Sequence, residues 1–168
     1  TMTHTFEYFE NALAIFPTVK GFGYAFFKDE HEPKQTGVAI IKNTEPDKYL
    51  KRIDAMVQTY QPKVILIPTP DTKNSHKTKR TQQFLKDIIE YAKQQDIHVK
   101  TFSREQIRIV FERFDAFTKL EIAEKICLWM PDLEKYKPRH KKYYMPEEHY
   151  QGMFDAISLF ITHLYIDN

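Results

Sequence analysis

Residues 153–163, MFDAISLFITH, form an almost continuous apolar run that carries one carboxylate, Asp155. The apolar side chains recur at helical spacing, and the glutamates that follow Pro146 suit the positive end of a helix dipole. The pattern predicts a helix over residues 146–165. Its polar residues share one narrow stripe: Gln151, Asp155, Ser158 and Thr162. An ionised carboxylate on so apolar a helix must face a cleft, a partner or water, and by itself the stripe is typical of a solvated strip.

The rest of the chain alternates between strand and helix patterns. Strands are predicted over residues 12–16, 22–28, 36–42, 64–67 and 97–102, and helices over residues 47–60 and 78–95. The apolar run VILI at 64–67 indicates a strand that is buried on both faces of a sheet. Two capping boxes, Ser103-x-x-Gln106 and Thr118-x-x-Glu121, each open a further short helix. The order βββαβαβ followed by helices predicts an α/β fold with a mixed sheet.

Composition limits the class of protein. The 168 residues, 42% of them hydrophobic, predict one globular domain over 1–168 with its core at about 12–165. No apolar run reaches the roughly 18 residues of a membrane span, and the start lacks a secretory signal pattern. The single cysteine, Cys127, cannot form an internal disulfide, which fits a reducing, cytoplasmic location. Its apolar neighbours indicate a buried structural thiol.

Basic charge is concentrated in two segments, although the net charge is only +2. Residues 73–80 hold four basic residues, and residues 135–142 hold five. The rest of the chain contains the other 16 of the 25 basic residues and all 23 acidic ones, so it is net acidic. Cations beside hydroxyls, amides and aromatic rings favour a nucleic-acid backbone with base stacking, whereas each segment alone is typical of a solvated loop. The predicted nucleic-acid contacts are Lys73, Lys77, Lys79, Arg80, Arg139, Lys141, Lys142 and Tyr143.

Both ends of the chain resemble the RuvC-type Holliday junction resolvases. The run from Asp155 to His163 is similar to the last helix of that family, an Asp-Ala-hydrophobic-Ala helix that carries a metal-binding carboxylate. The runs AIFP at 14–17 and GFGYA at 21–25 resemble the family's first hairpin. The resemblance covers most of the chain. It implies a ribonuclease H-like fold with a mixed five-stranded sheet flanked by helices and Asp155 on the C-terminal helix. It also implies a nucleic-acid partner, in the first place DNA, and a homodimer.

The resemblance further implies about four carboxylates that hold two divalent metal ions, which activate water and neutralise the leaving oxygen. In the family an Asp stands where this chain has Phe16, and a Glu ends the fourth strand, where this chain has Pro68. A second acid of the last helix would lie at Gln151 or Gly152. Because Asp155 alone is retained, we expect no metal site and no cofactor.

Three other acids are close enough in sequence to substitute: Asp71, Glu147 and Glu148. However, Asp71 is typical of a turn or a helix cap, and the two glutamates are typical of a helix start. The sequence therefore favours a RuvC-like nucleic-acid-binding protein with a degenerate, inactive nuclease centre in which Asp155 is vestigial. Two alternatives stay open. One is a Mg²⁺-dependent nuclease with atypically placed acids, and the other is a protein-interaction module that kept only the fold.

Overall fold

The computed structural model describes residues 11–42, 45–70, 78–138 and 149–166. Its sheet has five strands: β1 Ala12–Pro17, β2 Gly21–Phe27, β3 Pro33–Ile40, β4 Val64–Pro68 and β5 His98–Phe102. Their order across the sheet is β3-β2-β1-β4-β5. β2 pairs antiparallel with β1 and with β3, whereas β4 pairs parallel with β1 and with β5. The predicted mixed five-stranded sheet is therefore confirmed.

The helices flank this sheet. They are α1 Pro46–Tyr60, α2 Lys79–Gln94, α3 Arg104–Glu112, α4 Lys119–Trp129 and α5 Gln151–Tyr165, with a 3₁₀ helix at Pro131–Tyr136. Both predicted capping boxes are formed: Ser103 and Thr118 each accept the backbone N–H three residues on, and Gln106 and Glu121 accept the N–H of the cap residue. Among the described helices none combines the length and the apolarity that a membrane span requires.

Two predicted elements differ from the structure by more than one residue at an end. The third strand begins at Pro33 and ends at Ile40, because its pairing with β2 continues to the Phe27–Pro33 pair. The last helix begins at Gln151 rather than at 146, since residues 149 and 150 form a turn. Pro146 and the two glutamates after it lie outside the described residues. The sequence signal for the helix start therefore came too early.

Strand alternation divides the core into two layers. On one face of the sheet Leu13 and Ile65 pack with the apolar sides of α1 and α2. On the other face Ala14 and Leu66 pack with α3, α4 and α5. At the centre of this second layer the rings of Phe27 and Phe160 stack with centroids 3.8 Å apart. The run at 64–67 thus has both faces buried, as its continuous apolar pattern predicts.

The polar stripe of α5 is not a solvated strip. Gln151, Ser158 and Thr162 are 6%, 4% and 0% exposed. The two hydroxyls bond to backbone carbonyl groups of their own helix: Ser158 donates to Asp155 O at 2.6 Å, and Thr162 donates to Ser158 O at 2.7 Å. Such local bonds let a hydroxyl be buried without a distant partner. Because α3 and α4 also pack on α5, the helix is enclosed on nearly all sides.

Candidate functional site

The C-terminal ends of β1 and β4 lie side by side. Ala14 of β1 is in register with Leu66 of β4, and continuing this parallel register by two residues brings Phe16 opposite Pro68. By strand alternation both side chains face the α5 layer. Phe16 is half-buried against the core of that layer, and Pro68 is buried. The two strand positions at which the resemblance implies acids therefore carry apolar rings on adjacent strands.

Asp155 lies one turn into α5, with 15% of its side chain exposed. The Gln151 amide donates a 3.0 Å hydrogen bond to Asp155 Oδ1. The ammonium of Lys119, the first residue of α4, lies 3.9 Å from Asp155 Oδ2. Each carboxylate oxygen thus faces a donor group of this chain. Sequence reasoning missed Lys119: the Thr118 capping box predicts where α4 begins, but not which helix its first side chain meets.

The backbone of α5 rests directly on β2. A Cβ atom placed on Gly23 would lie 2.0 Å from the carbonyl carbon of Gly152 and 2.5 Å from Met153 N. A Cβ atom placed on Gly152 would lie 2.4 Å from Thr18 Cγ2. The helix can approach this closely only because both positions are glycine. A side chain at Gly152, one of the two helix positions that the resemblance assigns to a second acid, would displace the Thr18 methyl group and press on the backbone of Gly23, whose N atom lies 3.2 Å from the Cβ position, so an acid there is disfavoured.

The helices α4 and α5 begin beside the end of β1. Gly152 is the second residue of α5, and it lies against Thr18, which directly follows β1. Lys119 opens α4 and reaches the first turns of α5 at Asp155. The N-terminal ends of two helices therefore lie where β1 ends. We call the end of the sheet at which β1 and β4 terminate its edge.

The helices α1 and α2 begin at the same edge. Arg80 in the first turn of α2 donates a 3.2 Å hydrogen bond to the hydroxyl of Tyr49 in α1. The ring of Phe84 packs on that of Tyr49 at 4.7 Å and on that of Phe22 at 6.0 Å, and Phe22 is the strand partner of Pro17 at the end of β1. A helix N-terminus carries a positive partial charge and binds anions. Besides these four helices, α3 also begins at this edge, because its N-cap residue Ser103 directly follows β5, which ends beside Pro68.

The predicted basic contacts divide between described and undescribed residues. Lys79 and Arg80 are exposed in the first turn of α2, whose N-cap is Thr78. Their neighbours Lys73 and Lys77, and the second group Arg139, Lys141, Lys142 and Tyr143, lie outside the described residues, as do Asp71, Glu147 and Glu148. The chain enters the first of these segments just after Thr69, whose N–H donates to Phe102 O at the end of β5. It leaves the second just before α5. The strand that precedes the first segment and the helix that follows the second therefore both meet the edge where these helices begin.

Among the described residues, the donor groups do not fit the two-metal centre that the fold family implies. Within residues 11–42, 45–70, 78–138 and 149–166, no group of three or more His, Cys, Asp or Glu side chains could hold a metal ion. A two-metal clamp needs several converging acids. β1 and β4 end with Phe16 and Pro68 where the resemblance implies acids, and a cationic side chain lies beside the carboxylate of Asp155.

Cys127 does not belong to this site. It is buried in α4, and burial together with the nearby Glu134 carboxylate raises the pKa of its thiol to about 11. The thiol therefore stays protonated at neutral pH, and a protonated thiol is a poor nucleophile. This agrees with the structural role that its apolar neighbours predict.

Comparisons with known proteins identify the fold. No family model matches the chain, and no curated protein matches it in sequence. Among solved structures, RuvC of Thermus thermophilus is 15% identical with a TM-score of 0.65, over 93% of this chain and 95% of that one. T. thermophilus RuvC in complex with a Holliday junction substrate is 15% identical with a TM-score of 0.64, and the match covers 93% of this chain and 94% of that one. The yeast mitochondrial Holliday junction resolvase is 13% identical with a TM-score of 0.64, and the match covers 94% of this chain and 78% of that one. The chain therefore has the ribonuclease H-like fold of these resolvases.

Proposed function

We propose that this chain, which has the fold of the RuvC resolvases, binds nucleic acid through the edge at which β1 and β4 end and does not cleave it. The observation that carries the proposal is the pair of apolar rings, Phe16 and Pro68, at the adjacent ends of these strands. Hydrolysis of a phosphodiester by two metal ions needs carboxylates there to hold the ions. In this reading Asp155 is a vestige of that set.

Two further features support an inactive centre. Asp155 already interacts with the Lys119 ammonium and the Gln151 amide, so a metal ion would have to displace an internal cation. The contact between Gly23 and Gly152 disfavours an additional acidic side chain at 152. Acids in place of Phe16 and Pro68 would therefore still leave α5 without a second acidic ligand.

The electrostatics of the same edge support binding. The helix N-termini at this edge attract phosphate groups, and Lys79 and Arg80 are exposed among them. Of the segments that carry the other basic residues, one follows β4 and the other precedes α5, and β4 ends and α5 begins at this edge. Basic side chains that neutralise phosphates supply most of the affinity for a nucleic-acid backbone. Duplex or branched DNA is the proposed ligand, and a homodimer in a reducing, cytoplasmic location completes the proposal.

Cleavage assays test the inactive centre. The purified protein should leave branched DNA, RNA–DNA hybrids and single strands intact with Mg²⁺ or Mn²⁺. Cleavage that a chelator abolishes, and that Asp155→Asn also abolishes, would instead support an active nuclease. Asp71, Glu147 and Glu148 would then be the acids to test, because they lie in the two segments attached to the same edge.

Binding is tested by the salt dependence of affinity. About six phosphate contacts predict a loss on the order of 10³ in affinity between roughly 50 and 200 mM salt. Neutralising Lys79 and Arg80 together should flatten the log–log slope by about 1.8, at about 0.9 per contact, and adding Lys73 and Lys77 should flatten it further. The matched control is Lys63→Gln with Lys93→Gln: both residues are exposed, and they lie at the ends of β4 and α2 that face away from this edge.

The control variant should keep the slope of the parent protein. Equal flattening in both variants would show that binding is spread over the whole surface. An absence of binding at low salt would favour the protein-interaction module instead.

A further inference from the structure

The turn between β1 and β2 lies at the edge and is anchored on both sides. The Thr18 N–H donates to Gly21 O at 2.9 Å, which closes the turn. The Ile41 N–H donates to Lys20 O at 2.8 Å, which ties the turn to the end of β3. A Cβ atom placed on Gly21 would lie 1.9 Å from Ala39 O, so only glycine lets the turn come this close to β3. The backbone that carries the tip of the turn is therefore fixed before any ligand binds.

The tip of this turn carries an apolar side chain that folding does not require. Val19 is 82% exposed, more than any other large apolar side chain of the described segments. Tight turns favour Gly, Asn, Asp and Ser, whereas the β-branched valine favours strands. Ile40, which ends β3 at the same edge, is 52% exposed, and its strand partner Gly21 has no side chain to cover it. Two aliphatic side chains therefore face solvent on neighbouring segments at the edge.

Two cations flank these aliphatic side chains. Lys20 follows Val19 in the turn, Lys42 follows β3, and both are exposed. Neither lysine forms an ion pair within the part of the chain that the structure describes. Within residues 11–42, acids occur only at the opposite end of the sheet, where residues 29–32 contain three. The end of this three-stranded part of the sheet that lies at the edge is therefore positively charged, as a polyanionic ligand requires.

The aliphatic tip distinguishes between forms of nucleic acid. Lysine side chains contact the phosphates of any duplex. An aliphatic side chain forms no hydrogen bond with the edge of a base, but it packs well against the flat face of one. In an uninterrupted duplex stacking covers these faces, and they are uncovered where a base is unpaired or a base step is opened. The tip therefore suits a place where stacking is interrupted.

We propose that the turn between β1 and β2 binds nucleic acid at a point of interrupted stacking. Val19, with Ile40 beside it, packs against an uncovered base face, and Lys20 and Lys42 contact the neighbouring phosphates. The inference rests on the proposed function and names the form of nucleic acid that the same edge prefers. Because the turn is anchored in the free protein, little conformational entropy is lost when it binds.

The first test compares two labelled DNAs by fluorescence anisotropy over a series of salt concentrations: an intact duplex, and the same duplex with a short bulge of unpaired bases. The parent protein should bind the bulged duplex roughly fourfold or more tightly, the equivalent of about one buried CH₂ group. Val19→Ser should abolish most of this preference without changing either salt slope, and Val19→Leu should retain it. The matched control is Leu128→Ser, which replaces a side chain that is 72% exposed near the end of α4 and should also retain the preference. Because these positions are exposed, the melting temperature should not change.

The second test removes the flanking charges. Lys20→Gln combined with Lys42→Gln should lower the log–log salt slope by about 1.8 on both DNAs, at about 0.9 per contact. The matched control combines Lys28→Gln with Lys34→Gln. These two lysines are also exposed, and they lie at the opposite ends of the same two strands, β2 and β3. The control variant should keep the slope of the parent protein.

The outcomes separate this inference from the proposed function. If the parent binds both DNAs equally, or if Val19→Ser keeps the preference of the parent, the turn does not contact a base face, and the proposed function still stands. Val19→Ser that weakens binding to both DNAs equally would mean an apolar contact in a groove of the duplex, such as that with a thymine methyl group, and would refute binding at interrupted stacking. The same loss of preference in Leu128→Ser would also refute it. An unchanged salt slope without Lys20 and Lys42 would refute the phosphate contacts. No binding by the parent would overturn both proposals.

Discussion

A single methyl group at Gly23 should distort the contact between β2 and α5. In Gly23→Ala the new Cβ would lie 2.0 Å from both the carbonyl carbon and the carbonyl oxygen of Gly152. All of these atoms, and Met153 N at 2.5 Å, belong to the backbone of a helix and cannot rotate away. Neither glycine has a positive φ, so the backbone conformation itself accepts alanine. The effect of the substitution therefore measures the packing of α5 on the sheet.

The magnitude follows from the cost of overpacking. Extra methyl groups in a packed core usually cost about 1–3 kcal/mol, and a clash between two backbones belongs at or above the upper end of this range. We therefore expect Gly23→Ala to lower the free energy of unfolding by about 3 kcal/mol or more. For a domain of this size the melting temperature should fall by roughly 6–12 °C, at about 2–4 °C per kcal/mol.

Gly37→Ala on the neighbouring strand β3 is the matched control. Its new Cβ would lie 2.9 Å from the hydroxyl oxygen of Tyr24, which is the tip of a side chain that can shift. The loss of chain entropy in the unfolded state favours alanine by about 0.4–1 kcal/mol in both variants, so the control should stay within about 1 kcal/mol of the parent.

Denaturant unfolding measures both variants. The midpoint should fall strongly for Gly23→Ala and little for Gly37→Ala, with the same slope of free energy against denaturant in each. If the two variants were equally stable, α5 would not lie backbone against backbone on β2. An acid at Gly152 would then no longer be disfavoured by this contact.

Four further results are expected. Asp155→Asn should change the free energy of unfolding by no more than about 0.5 kcal/mol, because the ion pair is half-exposed and Asn still accepts a hydrogen bond from Gln151. Asp155→Ala should cost about 1–3 kcal/mol, because it leaves the buried Gln151 amide without its acceptor; the denaturant midpoints of the two variants test both values. Millimolar Mg²⁺ should leave the melting temperature unchanged, and a rise that Asp155→Asn removes would reveal a metal site. Near pH 8, iodoacetamide should alkylate Cys127 on the order of 10²-fold more slowly in the native protein than in denaturant. The rate in the native protein should rise with pH up to the thiol pKa of about 11, and equal rates in the two states would contradict burial of the thiol. Phe160→Ala, which removes the ring stacked on Phe27, should cost about 3–5 kcal/mol, and a smaller loss would mean that the core closes around the gap.

Local patterns in the sequence were sufficient to predict most elements of the fold. The run at 64–67 predicts a strand buried on both faces because strand residues alternate between faces and every residue there is apolar. The cap residues Ser103 and Thr118 predict the starts of α3 and α4 because their hydrogen bonds reach only three residues along the chain. The start of α5 was predicted too early because Pro146 and its glutamates are only statistical signals of a helix N-terminus.

The sequence also indicated which positions of the predicted site lack an acid. Phe16 and Pro68 occupy positions fixed by their strands, and the resemblance of those strands to the resolvases was enough to identify them. The nine basic residues could be assigned to two segments, but only Lys79 and Arg80 of the predicted contacts lie within the described residues. The nucleic-acid contact of all eight residues stays a prediction.

Contacts between distant segments were decided by the tertiary structure alone. The sequence determined that Asp155 lies on an apolar helix, but not that Lys119 of another helix meets it or that the polar stripe around it is buried. It contained Gly23 and Gly152 without any sign that they touch. Helix and strand patterns depend on hydrogen bonds and burial within a few residues along the chain. These contacts depend instead on the depth at which α5 packs onto the sheet. That depth results from the packing of every layer at once, and it also determines which cation faces the one remaining carboxylate.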